Sequence, residues 1–182
     1  SESVREEAFE YLADSGLAAE PAFITALDHK NAPVRLKAIK GLGRIKSEKV
    51  YDQMARLFRE DKNAEVHESC YQYLESLGIK AEKDLLWALK NDDTAGLRIR
   101  VIKALGYAQS LNAITPLMEI IEHMNPEVRA AARSALVTIG PKAIEAVNEA
   151  FEAKKLKKEG RDAVLALYYQ AVVDVLLDRQ IS

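Results

Sequence analysis

One short signal recurs five times along the chain, over Ser1–Leu12, Asn31–Leu42, Asn63–Leu74, Thr94–Leu105 and Asn125–Leu136. Superposing Val4, Val34, Val66, Leu97 and Val128 gives spacings of 30, 32, 31 and 31 residues. A fixed period of this length is the signature of a helical solenoid, in which two-helix units stack and each buries what its neighbour exposes. The period fixes the architecture and leaves the partner open. Five repeats follow, at about residues 1–30, 31–62, 63–93, 94–124 and 125–153, within one domain over 1–182.

Each column of the alignment has a physical role. Three residues before the anchors stand Ser1, Asn31, Asn63, Thr94 and Asn125, all able to accept from the free N–H groups of a first helical turn. Pro33 and Pro126 fall in that turn, where proline removes no helical hydrogen bond. Four and eight residues after the anchors come Ala8, Ala38, Cys70, Val101 and Ala132, then Leu12, Leu42, Leu74, Leu105 and Leu136. These spacings share one helical face, so they form the buried stripe. Cys70 stands in the small-residue column and reads as packing rather than as a reactive thiol.

A second helix is expected in each repeat: Pro21–Leu27, Lys49–Phe58, Glu82–Leu89, Ala113–Ile121 and Lys142–Phe151. Gly16, Gly43, Gly78, Gly106 and Gly140 read as the stops between the two helices, with Ser47, Asn112 and Pro141 restarting the chain. No segment alternates like a strand, and no disulfide framework can come from one cysteine. The start lacks the basic and apolar runs of a signal peptide, which points to the cytoplasm. Beginning at Ser1 without methionine, however, it reads as a processed or excised piece.

The phrases "NAPVRLKAIKGLGRI", "GLRIRVIKALG" and "NPEVRAAARSALVTIG" resemble HEAT repeats, of the short ~31-residue kind found in phycobilisome-lyase-type HEAT-like proteins. The resemblance covers residues 1 to about 151 and implies an all-α, right-handed α-α superhelix. It spans adaptors, bilin lyases, a diiron hydroxylase and DNA-repair glycosylases, so it does not by itself choose a function. It also implies that an arginine after the anchor pairs with an acid in the preceding connection; the column here reads Arg5, Arg35, His67, Arg98 and Arg129, with His67 departing from the pattern. Asp28, Asp61 and Asp92 are the candidates.

Catalytic readings lack the residues they need. A diiron site of that family takes several His-Glu pairs on successive repeats, and the chain has one, His67-Glu68. His29 and His123 share a column but stand three repeats apart, and each reads as a cation complementing the end of a second helix. No Gly-rich phosphate loop, nucleophile elbow or Cys-x-x-Cys occurs. A non-catalytic protein-binding scaffold without a cofactor or metal is therefore expected. A bilin-lyase-type enzyme subunit is the alternative, and a nucleic-acid-binding adaptor the third reading.

Two features point to partner contacts. Counting from the anchors, Met54, Leu86, Leu117 and Val147, then Leu57, Leu89 and Ile120, face inward on the second helices. Trp87 then aligns with Ala55 and Met118, off the core stripe. Second helices line the concave side of such solenoids, so Trp87 and Met118 are candidate anchors for a protein partner. Charge is also uneven. The net charge of −2 hides seven acids and one base over residues 1–29, against nine bases and two acids over 30–59. Lys37 and Lys40, matched two repeats later by Arg100 and Lys103, fall on the outward face of first helices, a candidate docking surface for an acidic partner. A sequence pI near 6.0 makes nucleic acid an unlikely ligand.

The tail differs. Residues 161–180 read as one helix with two apolar stripes, Val164–Leu167–Tyr168–Ala171–Val172–Val175 and Leu165–Tyr169–Val173–Leu176–Leu177. Fifteen apolar-rich residues broken by Asp174 are too short for a membrane span. Capping the fifth repeat occupies one stripe. The other, with Tyr169, Val173 and Leu176, is expected to be covered by a second copy in a homodimer, by a further segment of the chain, or by a fold-back that makes a further cap contact.

Overall fold

The computed structural model describes Phe9, Tyr11 and residues 14–47, 49–92 and 94–181. The chain is all-α, with no strand among the described residues. The first helix of the first repeat lies mostly outside them. Two compact bodies form, residues 1–77 and 78–182.

In the N-terminal body a 3-10 turn, Gly16–Ala19, leads into α1 (Glu20–Ala26), followed by α2 (Ala32–Arg44), α3 (Tyr51–Glu60) and α4 (Ala64–Ser76). α2 packs on α1 and on α4, and α3 packs on α4. Consecutive first helices thus lie side by side, each backed by a second helix. The C-terminal body repeats the scheme with α5 (Glu82–Asn91), α6 (Ala95–Tyr107), α7 (Ile114–Ile120), α8 (Pro126–Ile139), α9 (Pro141–Glu152) and α10 (Lys158–Ile181). Here α8 is central, packing on α6, α7, α9 and α10.

The expected stripe is the core. Ala38, Cys70, Val101 and Ala132 and the leucines Leu42, Leu74, Leu105 and Leu136 are all at most 1% exposed. Burial pushes the Cys70 thiol pKa up to about 12, which removes it from thiolate chemistry. The N-caps Asn31, Asn63, Thr94 and Asn125 stand where the sequence puts them, with different chemistry, and Ser1 lies outside the described residues. Asn63 and Asn125 each accept two backbone N–H groups of the first turn. The side chains of Asn31 and Thr94 make no such bond.

The turns correct the sequence reading. Gly43 and Gly106 do not stop a helix; both lie inside one, α2 and α6. The left-handed residue that ends each first helix stands twelve past the anchor, at Gly16, Lys46, Gly78, Gln109 and Gly140, with φ of 59°, 53°, 56°, 51° and 95°. Gly106 serves a different need: a Cβ there would stand 3.0 Å from Ala135 Cα, so its absence lets α6 and α8 approach. Lys46 and Gln109 are exposed and carry the left-handed strain that glycine avoids. Gln109→Gly is expected to raise stability by ~0.5–1 kcal/mol and Gly78→Ala to lower it by ~1 kcal/mol. Urea unfolding of the two variants checks this.

The same column reveals a pairing of repeats. After Lys46 and Gln109 the second and fourth repeats insert one extra residue, Ser47 and Ser110, both buried. Ser47 Oγ donates to Glu20 Oε1 (2.7 Å) and Lys49 Nζ to Oε2 (2.9 Å). Ser110 Oγ donates to Glu82 Oε1 (2.5 Å) and Asn112 Nδ2 to Oε2 (2.9 Å). One carboxylate at the start of a second helix is thus bracketed by the next repeat's turn, in each body. The third and fifth repeats have Gly78 and Gly140 with no inserted residue.

Candidate functional site

The connections between repeats hold the densest polar network. His29, Asp61, Asp92 and His123 each stand two residues before an N-cap, and each accepts that residue's backbone N–H at 2.8–3.1 Å. Nδ1 of histidine and Oδ1 of aspartate are interchangeable here, because both place an acceptor the same distance from the backbone. His29 and His123 therefore present Nδ1 to the N-cap backbone as the aspartates present Oδ1.

Arg35, Arg98 and Arg129 use this network in one way. Arg35 donates to the carbonyls of His29 and Lys30, Arg98 to that of Asp92, and Arg129 to those of His123 and Met124. Arg35 also reaches forward, not back as the resemblance implies, and grips Asp61 through Nε and Nη2 at 2.7 and 2.8 Å. Asp28, the acid expected for Arg35, pairs with Arg56 instead. Where the last turn of the second helix carries phenylalanine, Phe58 or Phe151, a side chain of the next first helix stacks on the ring. His67 lies over Phe58 at 4.6 Å, and the Arg161 guanidinium over Phe151 at 3.8 Å.

Burial raises the Asp61 pKa, but the Arg35 hydrogen bonds and the Asn63 N–H outweigh it and hold the carboxyl below the usual aspartate range. A depressed carboxylate stabilises the fold above its unfolded pKa, and that stabilisation is lost as pH falls through the folded value. Unfolding stability is therefore expected to drop on acidification below the ordinary aspartate range, and Asp61→Asn to make that drop shallower. Denaturant midpoints measured across acidic pH check it.

These networks build connections. A groove that can receive a ligand lies in the C-terminal body, between the second helices α5 and α7. It has a volume of about 580 Å³ and is lined by Leu86 and Leu89 of α5 and by Pro116 and Ile120 of α7. Lys90, Arg98, Asn112 and Glu119 surround this apolar floor. Among the described residues no group of three or more His, Cys, Asp or Glu could hold a metal.

The groove revises the second-helix register. Leu85, not Leu86, joins Met54, Leu117 and Val147 in the column buried to 0%. Leu86 and Ile120, expected inward, are half-buried and line the groove. The shift follows from the turns: seven residues separate the left-handed position from the core column in the third repeat, but eight in the second and fourth. Leu86 then aligns with Ala55 and Met118, and Trp87 with Arg56 and Glu119. Trp87 and Met118 are both half-buried, and the Trp87 carbonyl accepts from Asn91 Nδ2 at 2.7 Å. Lys40 and Lys103 are exposed and Lys37 and Arg100 half-buried, one pair in each body.

Helix–turn–helix units with aligned cores, stacked first helix on first helix within each body, define an α-helical repeat protein. The profile of HEAT repeats matches residues 1–75 and 82–167, and the chain belongs to the HEAT repeat family. No curated protein matches the chain. The match extends past the fifth repeat into α10, and the geometry shows why. Gly160, Arg161, Val164 and Tyr168 stand 32 residues after Val128, Arg129, Ala132 and Leu136, with Gly160 and Val164 buried. The C-terminal helix is the first helix of a sixth repeat.

Proposed function

We propose that the chain is a non-catalytic interaction scaffold of the short-period HEAT kind, which takes an α-helical segment of a protein partner in the groove between α5 and α7. The carrying observation is that groove: four apolar side chains flanked by the cations Lys90 and Arg98. Helix-in-groove recognition needs this arrangement, apolar anchors entering a cleft while charge at the rim sets orientation. The matching ligand is an amphipathic helix with two apolar anchors a turn apart and an acidic residue beside them. Glu119 on the same rim discourages a uniformly acidic ligand such as nucleic acid.

The test uses helical peptides selected from a random display library on the immobilised protein. Selected peptides are expected to carry that pattern and to bind Leu86→Asp/Ile120→Asp at least tenfold more weakly, with the fold retained because both positions are half-buried. Equal binding to the double variant overturns the groove as the site. Lys90→Glu is expected to slow association chiefly at low salt, a smaller effect read by stopped flow.

A further inference from the structure

The groove between α5 and α7 has a counterpart in the N-terminal body. Counted from the left-handed residue of each repeat, Leu27 and Leu57 stand in the columns of Leu89 and Ile120. They line a cleft between the end of α1 and α3 of about 290 Å³, against about 580 Å³ for the groove. The columns beside these apolar residues are charged in both bodies, with the signs exchanged. Asp28 and Arg56 hold them in the N-terminal body, Lys90 and Glu119 in the C-terminal body.

In the N-terminal body the pair is made. Arg56 Nη2 donates to Asp28 Oδ1 and ties the end of α1 to α3 across the smaller cleft, so these two columns face one another. In the C-terminal body the pair stays open. Lys90 and Glu119 are both exposed, they line the groove from opposite walls, and neither forms an ion pair with any described residue. Other exposed apolar surface lacks this feature. Tyr169, Val173 and Leu176 of α10 are exposed, but the polar groups of that segment satisfy each other, Gln170 Nε2 donating to Asp174 Oδ1 at 2.7 Å.

We infer that Lys90 and Glu119 select the charges of the helix that enters the groove: an acid for Lys90 on the α5 wall and a base for Glu119 on the α7 wall, with the apolar anchors between them. The inference rests on the reading of the groove as a helix site. A helix lying over the rim takes water from both charges, and that loss is offset only when each meets its opposite. A purely acidic helix brings Glu119 against its like, and a purely basic one does the same to Lys90. The N-terminal body meets the same requirement internally, by bridging Asp28 and Arg56, and so closes its own cleft. Lys90 stands five residues past the core residue Leu85, and Glu119 two past Leu117. That offset of three residues is ~4.5 Å along the walls, so the partner's acid and base stand about one helical turn apart.

Two selections from one helical display library test this, the first on the wild-type chain and the second on Glu119→Lys. Glu119 is exposed and holds nothing in place, so helix content and thermal midpoint should not change. Helices selected on the wild type are expected to carry an acid and a base about a turn apart, flanking the anchors. Helices selected on Glu119→Lys should keep the anchors and the first acid and carry a second acid in place of the base. Measured in solution at low salt, each helix should bind the other protein at least about fivefold more weakly than its own. Leu86→Asp/Ile120→Asp separates this inference from the groove reading. Helices that lose binding to that double variant, yet show the same charges in both selections and bind both proteins equally, leave the groove standing and overturn the selection of charge. Helices indifferent to Leu86→Asp/Ile120→Asp overturn both.

Discussion

Replacing Arg35 with alanine is expected to destabilise the N-terminal body by about 3 kcal/mol, the cost of leaving a buried carboxylate without its cation. Its partner Asp61 has a side chain only 4% exposed, and Arg35 itself is 14% exposed, so water can restore little of what is lost. The guanidinium also satisfies the His29 and Lys30 carbonyls, which become unpaired together. Arg35→Lys is expected to recover less than half of the loss, because an ammonium cannot span two carboxylate oxygens and two carbonyls at once. Urea unfolding at neutral pH gives the number, and a loss under 1 kcal/mol for Arg35→Ala would place the pair among ordinary surface bridges. Exposed Arg56, bound to exposed Asp28, is the internal control and is expected to cost under ~1 kcal/mol on truncation.

The second large effect is expected at Gly106. A Cβ placed there meets Ala135 Cα and Cβ at 3.0 Å, and a backbone atom cannot rotate aside as a side chain can. Gly106→Val should force α6 away from α8 and cost more than ~2 kcal/mol, as overpacking does when no rotamer relieves it. Gly43, one repeat pair earlier, has nothing within 4 Å of its Cβ position. Gly43→Ala is thus expected to stabilise by ~0.5–1 kcal/mol through helix propensity alone. Equal effects at the two glycines would refute the close approach of α6 to α8.

That contrast also shows how much of the fold can be read from sequence. The anchor column and the small and leucine columns behind it were legible because burial on one helical face leaves a regular apolar period, and all four described leucines are buried as that period requires. Turn chemistry was less legible. Gly43 and Gly106 look like helix stops, yet glycine serves packing as readily as positive φ, and Lys46 and Gln109 take the left-handed position without a glycine to mark it. Counting from the anchors takes no account of the extra turn residue in the second and fourth repeats, so the third second-helix was placed one position out, exchanging Leu85 with Leu86 and bringing Trp87 forward. The groove residues Lys90, Pro116 and Glu119 carry no residue-type signal of their own; only alignment on the left-handed column would have brought them together with Leu86. The sixth repeat was hidden because Gly160 replaces the apolar anchor, although Arg161, Val164 and Tyr168 continue the columns.

The pairing of repeats has a physical origin in the same turns. The glutamate at the start of α1 (Glu20, buried) or α5 (Glu82, half-buried) finds partners for both oxygens, the inserted Ser47 or Ser110 supplying one and Lys49 or Asn112 the other. Hydrogen bonds from Ser47 and Lys49 lower the Glu20 pKa, so this junction too weakens as acid protonates it. The four basic residues Lys37, Lys40, Arg100 and Lys103 belong to these same even repeats.

Chemical-shift mapping with a display-selected helical peptide tests the scaffold reading most directly, since it reports every candidate surface in one titration. The largest perturbations are expected on Leu86, Leu89, Arg98 and Ile120, with Trp87 and Met118 responding as immediate neighbours. Perturbations centred instead on Lys37, Lys40, Arg100 and Lys103, or on Tyr169, Val173 and Leu176, with the groove resonances unmoved, would contradict it.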